Sequence, residues 1–293
     1  AGAGAGSAGT SGLPETRPVG ETIMSELNLV QQDAWKAGME AALAFDPAAA
    51  NIPGSFEAQS AKGAKMMVQA NLAEATGLPT EVTNTLVGGW AATSNDDDYR
   101  ALWMQKMAAE EFGVPLNQWQ QDKLDKMEAR RAEVISTLDP FSTPFEAIAN
   151  SGSIDPLPVS NILGDRDQEE AGRSFLREQY NATQDFFKEQ GVTEVVAYRG
   201  QVVPGQYVQP NVGDLLPGVD NAMESWTLDK AVAADFASSS AETNAYIERT
   251  VIPVERILST PFTGYGCLTE SEIVVLGGAG EAEVVSLGKI DND

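Results

Sequence analysis

The chain has 293 residues, of which 42% are hydrophobic and 21% are charged, a composition typical of a folded globular protein. Its 43 Asp and Glu residues outnumber its 19 Lys and Arg residues, and the net charge is −24. Because phosphate backbones and anionic membrane surfaces attract cationic proteins, this charge argues against general nucleic-acid binding and against adsorption to a membrane.

Histidine is absent from the sequence, and Cys267 is the only cysteine. The lack of histidine excludes Ser-His-Asp and Cys-His catalysis and His-ligated zinc. A single cysteine excludes an internal disulfide and a multi-thiolate metal site, and we expect no metal centre. Any chemistry must therefore use carboxylates, hydroxyls, Arg or Lys side chains, or a bound cofactor.

Three regions are predicted along the chain. Residues 1–20 are rich in Gly and Ala without any period, which predicts a flexible leader. Residues 21–80 carry apolar side chains at spacings of three and four, which predicts a helical segment whose role the sequence does not define. Residues 81–293 hold the remaining helices and all of the predicted strands, so we expect the main domain there.

The main domain begins with a helical half. The run from Asn95 to Asp98 precedes a helix that ends at Gly113, and its side chains are typical of a helix N-terminus. A calcium loop of the EF-hand type is the alternative, but the later Gly and Glu of that loop are missing. Further helices are predicted at about 116–138 and 168–190, separated by a proline-containing stretch without periodicity.

After Gly191 the period of the apolar residues changes from about 3.6 to 2, which predicts strands. These strands are rich in Val, Ile and Tyr and are expected at 193–199, 201–203 with 206–208, 222–227, 244–254, 271–276 and 282–287. One helix is predicted among them, at about 229–239. Helices followed by strands predict an α+β fold rather than alternating βαβ units.

An arginine closes the first predicted strand, in Tyr198-Arg199-Gly200. Its planar guanidinium can bind a phosphate or carboxylate through two parallel hydrogen bonds, and the adjacent glycine lets backbone approach closely. An exposed surface charge is the alternative for Arg199.

A second motif is Ser225-Trp226-Thr227, where the period of 2 places both hydroxyls on one face of a strand. The alternative is an ordinary strand with a core tryptophan. A third motif is Glu270-Ser271-Glu272, directly before an apolar strand. Two carboxylates on one face repel each other, which raises one pKa and favours a cationic or reactive group between them. In so acidic a chain, a chance pair is the alternative.

Taken in order, Arg199, Ser225-Trp226-Thr227 and Glu270-Ser271-Glu272 resemble the R-S-E signature of the mono-ADP-ribosyltransferases of the toxin type, which include bacterial exoenzymes and phage-encoded relatives. Glu194–Gly200 resembles the opening strand of that family, and Val254–Ser259 resembles a strand before its catalytic loop. The resemblance covers about residues 85–290 and leaves residues 1–80 unmatched. A tryptophan inside the hydroxyl motif, and threonine in place of its last serine, depart from the family pattern.

The resemblance implies an ADP-ribosyltransferase-like split β-sandwich with an amino-terminal helical lobe, the lobe at 81–190 and the NAD-binding β core at 191–293. It implies NAD as the substrate, cleavage of the nicotinamide–ribose bond and transfer of ADP-ribose to arginine side chains of a target protein. Such reactions pass through an oxocarbenium-like transition state that carboxylates stabilise.

The resemblance also implies a role for each matched residue. Glu272 would be the catalytic glutamate, Ser225 would orient it, and Glu270 would deprotonate the acceptor arginine. NAD-binding residues would be Arg199, Gly200, Ser225, Thr227 and Phe236, the last with a core phenylalanine as its alternative. The loop from Pro261 to Thr269 would recognise the target, with Tyr265 and Glu270 in contact with it.

The partner expected from the resemblance is a protein that presents an arginine, and the acidic charge favours a basic host protein. A phage or toxin effector of this kind would act in the cytoplasm of its target cell. Three alternatives remain open at this point. They are an NAD glycohydrolase on the same fold, a phage head-associated structural or interaction protein, and a hydrolase of another fold that uses a carboxylate pair.

Overall fold

The structure, a computed structural model, describes residues 12–19, 72–79, 83, 99–136, 165–203, 208–238, 244–267 and 270–287. Within these residues it is a mixed α+β protein, with long helices first and an antiparallel sheet afterwards, as the change of period predicts. Most of the predicted helical segment 21–80, the acidic run at 95–98 and the stretch 139–163 lie outside the described residues.

Three long helices precede the sheet: α1 (Tyr99–Phe112), α2 (Gln118–Ser136) and α3 (Asp165–Gln190). The helices α1 and α3 are each followed by a glycine with positive φ, which ends a helix without steric cost. Their apolar faces share one core cluster, in which Met107, Leu124 and Phe175 are fully buried. Of the helices described, none is long and apolar enough to cross a membrane.

The sheet contains β1 (Glu194–Val202), β2 (Leu215–Thr227), β3 (Ala245–Pro253), β4 (Ile257–Ser259) and β5 (Glu272–Leu287), with helix α4 (Lys230–Ser238) between β2 and β3. The strand order is β2-β1-β3-β5-β4, and β2 also pairs with β5. This additional pairing closes β2, β1, β3 and β5 into a ring. Because side chains alternate along a strand, one set fills a common core cluster that includes Val195, Trp226 and Ile273.

The longest strand, β5, pairs with both β2 and β3 and so completes the ring. Sequence periodicity predicts two strands here, but the structure has one, because glycines at its middle break the apolar pattern without ending the pairing. Gly278 and Gly280 have φ values of 140° and 139°, a conformation that other residues rarely adopt. β5 pairs with β2 from Glu272 to Glu283 and with β3 from Glu283 to Leu287.

The prediction of a flexible leader over residues 1–20 is wrong for residues 12–19, which we call the strap. The strap forms β-bridges with β3 and β5 through Arg17 and Thr16. The Arg17 guanidinium makes two hydrogen bonds to the Glu194 carboxylate, at 2.6 and 2.8 Å. Arg256, which is 1% exposed, donates from Nε to the carbonyl oxygen of Pro14. These contacts lie far apart in sequence, so local composition could not indicate them.

Candidate active site

The strands β2 and β5 bring a serine hydroxyl onto a glutamate. Thr227 is the register partner of Glu272, and Ser225 is the partner of Val274. Since register partners point to the same face of a sheet, Ser225, Thr227 and Glu272 share one face. Ser225 Oγ donates a hydrogen bond of 2.6 Å to Glu272 Oε1. The Glu272 residue is 8% exposed, so this hydroxyl orients a largely buried carboxylate.

Thr227 holds the turn that precedes β5. Its hydroxyl donates to the carbonyl oxygen of Glu270 at 2.6 Å and accepts the backbone N–H of Asp229 at 3.0 Å. The turn is tight, because Ser271 has a φ of 48°, which is unusual for a residue other than glycine. Thr227 therefore fixes the backbone from which both glutamates project.

β5 begins at Glu272, whereas Glu270 belongs to the turn before it, so the two glutamates do not lie on one strand. The two carboxyls nevertheless interact. Burial, together with a smaller contribution from the charge of Glu272, raises the pKa of Glu270 to about 7. A carboxyl with such a pKa exchanges protons near neutral pH, which suits a general base.

Arg199 lies on β1 and is ion-paired with Glu224 of β2. The Arg199 side chain is 26% exposed, whereas the Glu224 side chain is 2% exposed. Glu224 Oε1 also accepts the backbone N–H groups of Asp220 and Asn221, each at 3.1 Å. The arginine is therefore held by a buried carboxylate, and about a quarter of its side-chain surface is exposed.

The strand register decides how Arg199 stands relative to the other residues. Tyr198 is the register partner of Thr227, and this is the one β1–β2 partner pair in the described part of the chain. Ser225 and Thr227 accordingly lie on the same face of the sheet as Tyr198, and the Arg199 side chain leaves β1 on the opposite face. The pairing of β1 with β2 ends next to Arg199, while β1 pairs with β3 along its whole length and β2 pairs with β5.

The structure thus brings Ser225, Thr227, Glu270 and Glu272 together directly. It connects Arg199 to them through β2, because its ion-pair partner Glu224 directly precedes Ser225.

Helix α4 packs against Gly200 and also carries Phe236. A Cβ atom on Gly200 would lie 2.0 Å from the carbonyl oxygen of Ala233, so the glycine is required for close packing of α4 on β1. That contact explains Gly200 without a ligand. Phe236, on the same helix, is 49% exposed, so it is not a core phenylalanine and its ring is accessible to a bound molecule.

The expectation that Tyr265 contacts a target protein is contradicted by its burial. Tyr265 is 1% exposed and packs edge to face against Phe175, with 5.4 Å between the ring centres. Its backbone N–H donates to Gln179 Oε1 at 2.7 Å, and burial raises the pKa of its hydroxyl. The aromatic ring therefore belongs to the core between the loop and α3.

Sequence reasoning missed the acidic residues around Arg199, namely Glu224, Glu248 and Asp220. Glu248 is the register partner of Arg199 on β3 and is 3% exposed. A signal for it was present, because the period of 2 that buries Ile252 also places Glu248 on the inner face of β3. The same period was available for Glu224, which lies two residues before the core residue Trp226 and therefore on the same face of β2.

Among the described residues, no group of three acidic or thiol side chains is arranged to hold a metal ion. Comparisons with protein-family models, with curated proteins and with solved structures gave no match. The assignment of a function therefore depends on the residues of the site and their geometry.

Proposed function

We propose that this protein is a mono-ADP-ribosyltransferase that cleaves NAD and transfers ADP-ribose to arginine side chains of a target protein. The observation that carries the proposal is the 2.6 Å hydrogen bond from Ser225 to Glu272. It joins two of the three signature motifs, which are 47 residues apart in sequence. The third motif, at Arg199, lies on β1 next to β2 but on the opposite face of the sheet from Ser225. The proposal therefore requires NAD to pass from one face to the other where the β1–β2 pairing ends.

The proposed reaction breaks the bond between the nicotinamide nitrogen and C1′ of the ribose, and the bonding electrons leave with nicotinamide. Positive charge then develops on the ribose ring, and the Glu272 carboxylate stabilises it. Ser225 keeps that carboxylate in one orientation, which reduces the reorganisation needed as the charge develops.

The acceptor is proposed to be an arginine because Glu270 stands beside Glu272. A guanidinium between these carboxyls would relieve their repulsion and form charge-assisted hydrogen bonds. As the arginine nitrogen bonds to C1′, it loses a proton, which Glu270 accepts. The pKa of Glu270, raised to about 7 chiefly by burial, suits this role near neutral pH.

NAD binding is proposed to use Arg199 and Phe236. The Arg199 side chain is 26% exposed, and we propose that the diphosphate binds its guanidinium beside Glu224. Phe236 offers an exposed ring against which nicotinamide can stack. A target protein with basic surface would be attracted by the net charge of −24.

The test is to incubate the full chain with labelled NAD and a cell lysate and to map the labelled residue by mass spectrometry. We expect label on arginine, and we expect Glu272→Gln to remove both transfer and NAD cleavage while the circular dichroism spectrum stays unchanged. Glu281→Gln is the matched control, because Glu281 is an exposed carboxylate on the same strand. Near-full activity of Glu272→Gln, or no cleavage of NAD by the wild type, would exclude the proposal. The second result would favour a structural or interaction protein.

An NAD glycohydrolase is the second candidate, and the burial of Tyr265 favours it. The loop expected to recognise a target is buried from Thr260 to Gly266, which leaves less of it to meet a protein acceptor. Water would then attack C1′ in place of arginine. Free ADP-ribose as the dominant product, with no labelled protein in any lysate, would identify the hydrolase.

A further inference from the structure

A group of ionisable side chains surrounds Arg199 on the inner side of the ring and is not used in the proposed mechanism. Glu224 of β2 pairs with the guanidinium, and Glu248 of β3 is the register partner of Arg199. Glu248 Oε1 accepts a hydrogen bond of 3.2 Å from Gln201 Nε2. At 3% exposure, Glu248 is a buried carboxyl whose one cationic neighbour in this group is also the proposed NAD ligand.

The elements packed around Glu248 supply few other charges. On β1, Arg199 attracts the Glu248 carboxylate electrostatically and Gln201 donates a hydrogen bond to it. On β2, the carboxylates of Glu224 and Asp220 repel it. Tyr246 on β3 is also close, but burial raises its pKa to about 12, so it stays neutral near pH 7. The residue opposite Glu248 on β5 is the apolar Val284. The Arg199 guanidinium is thus the one positive charge of this group that compensates several carboxyls.

The sharing of Arg199 by several carboxyls has a consequence when a ligand with its own negative charge binds to Arg199. A diphosphate carries two negative charges, and at Arg199 it would compete with Glu248 for the same cation in a region that water screens poorly. A buried carboxyl that loses its compensating charge is costly unless it is protonated. Glu224 keeps two backbone N–H donors whatever happens at Arg199, whereas Glu248 keeps only the amide of Gln201 among the described residues.

We propose that NAD binds to this protein together with one proton, which Glu248 takes up from solvent when the diphosphate engages Arg199. The inference rests on the proposed function, because it takes the diphosphate to lie at Arg199. Its chemistry is balanced, since a carboxylate and a proton form a neutral carboxyl and no other bond changes. Glu248 is thereby a binding residue that makes NAD affinity depend on pH.

The direction of the pH dependence follows from the state of Glu248 in the free protein. Burial raises its pKa to about 7, and Arg199 opposes the rise. A bound diphosphate raises the pKa further, so the protonated form binds NAD more tightly. The dissociation constant should be level below about pH 7 and should increase by about tenfold per pH unit above it, until the pKa of the complex is reached.

The experiment is calorimetric titration of the full chain with carba-NAD, an analogue whose nicotinamide bond is not cleaved. Titrations at about pH 8 in phosphate and in Tris, which differ in ionisation enthalpy, measure the protons bound with the ligand. We expect uptake approaching one proton for the wild type. Glu248→Gln should abolish the uptake and bind at about pH 8 at least tenfold more tightly than the wild type.

The control is Glu283→Gln, which removes a carboxylate of the same sheet that pairs with Arg249 at 3.0 Å instead of facing Arg199. It should retain the proton uptake and the pH dependence of the wild type. Binding of carba-NAD by the wild type without proton uptake would overturn the inference even if Glu248→Gln failed to fold. Absence of any carba-NAD binding across the pH range would instead overturn the proposed function itself.

Discussion

Ser225 and Glu272 are 47 residues apart in sequence, and a hydrogen bond of 2.6 Å joins their side chains. The antiparallel pairing of β2 with β5 places them on one face, and the register that pairs Thr227 with Glu272 sets their separation. Ser225 is therefore a positioning residue for the carboxylate. This relationship motivates the first prediction.

Ser225→Ala should lower kcat for NAD cleavage by roughly tenfold to a hundredfold, since a hydrogen bond to a charged group contributes about 1.5–3 kcal/mol. The Michaelis constant for NAD should change little, because Ser225 acts on Glu272 and the dinucleotide is held elsewhere. Steady-state kinetics measure both constants. Ser286→Ala, on the part of β5 that pairs with β3, is the control and should behave as the wild type. A large rise in the Michaelis constant with unchanged kcat would contradict this role.

Glu270→Gln should reduce transfer to arginine by about a hundredfold or more, because a general base commonly contributes that much. Hydrolysis of NAD should fall much less, since Glu272 still stabilises the ribose charge. The measurement compares labelled protein with free ADP-ribose in the same reaction. Glu255→Gln changes an exposed carboxylate outside the site and should leave both products unchanged. Equal losses of both activities would argue against arginine as the acceptor.

Glu248 should make the folded protein less stable as pH rises. Its pKa is about 7 in the folded chain, chiefly through burial, against an ordinary value of 4.5. Between these values the folded state binds more protons than the unfolded state, so the free energy of unfolding falls with increasing pH, by at most about 1.4 kcal/mol per pH unit for one group. Above about pH 7 this contribution becomes constant.

Urea unfolding at several pH values between about 5 and 8 measures this fall. Glu248→Gln should make it shallower, although Asp220 and Glu270, whose pKa values are also raised, should leave part of it. A variant with the same pH profile as the wild type would show that Glu248 is not the group responsible.

Removal of the strap should destabilise the fold. Deletion of residues 1–19 takes away the Pro14 carbonyl that accepts from buried Arg256 and the two hydrogen bonds between Arg17 and Glu194. A hydrogen bond to a charged group contributes about 1.5–3 kcal/mol, so we expect a melting temperature several degrees lower. Deletion of residues 1–11 is the control, because it keeps these contacts. Equal melting temperatures for the two deletions would contradict a structural role of the strap.

Much of the helical half and the strand regions follow from periodicity. Helices α1, α2 and α3 have ends within a few residues of those predicted, because caps and glycines mark helix ends locally. The sequence predicts two strands in place of β5, because the glycines at its middle interrupt the apolar pattern. The pairing of β5 with two different strands is not visible in its own sequence. The strap was missed for a similar reason, as its partners are more than 170 residues away.

The candidate site divides in the same way. The sequence alone determined the kinds of chemistry that are available, because the lack of histidine and of paired cysteines leaves carboxylates, hydroxyls and guanidinium groups. It also determined which residues to consider, through the order of Arg199, Ser225 and Glu272. Only the tertiary structure decided which side chains meet, because strand register is set by pairing between distant segments. That register placed Ser225 on Glu272 and Glu224 on Arg199, while packing of the loop against α3 buried Tyr265 in the core.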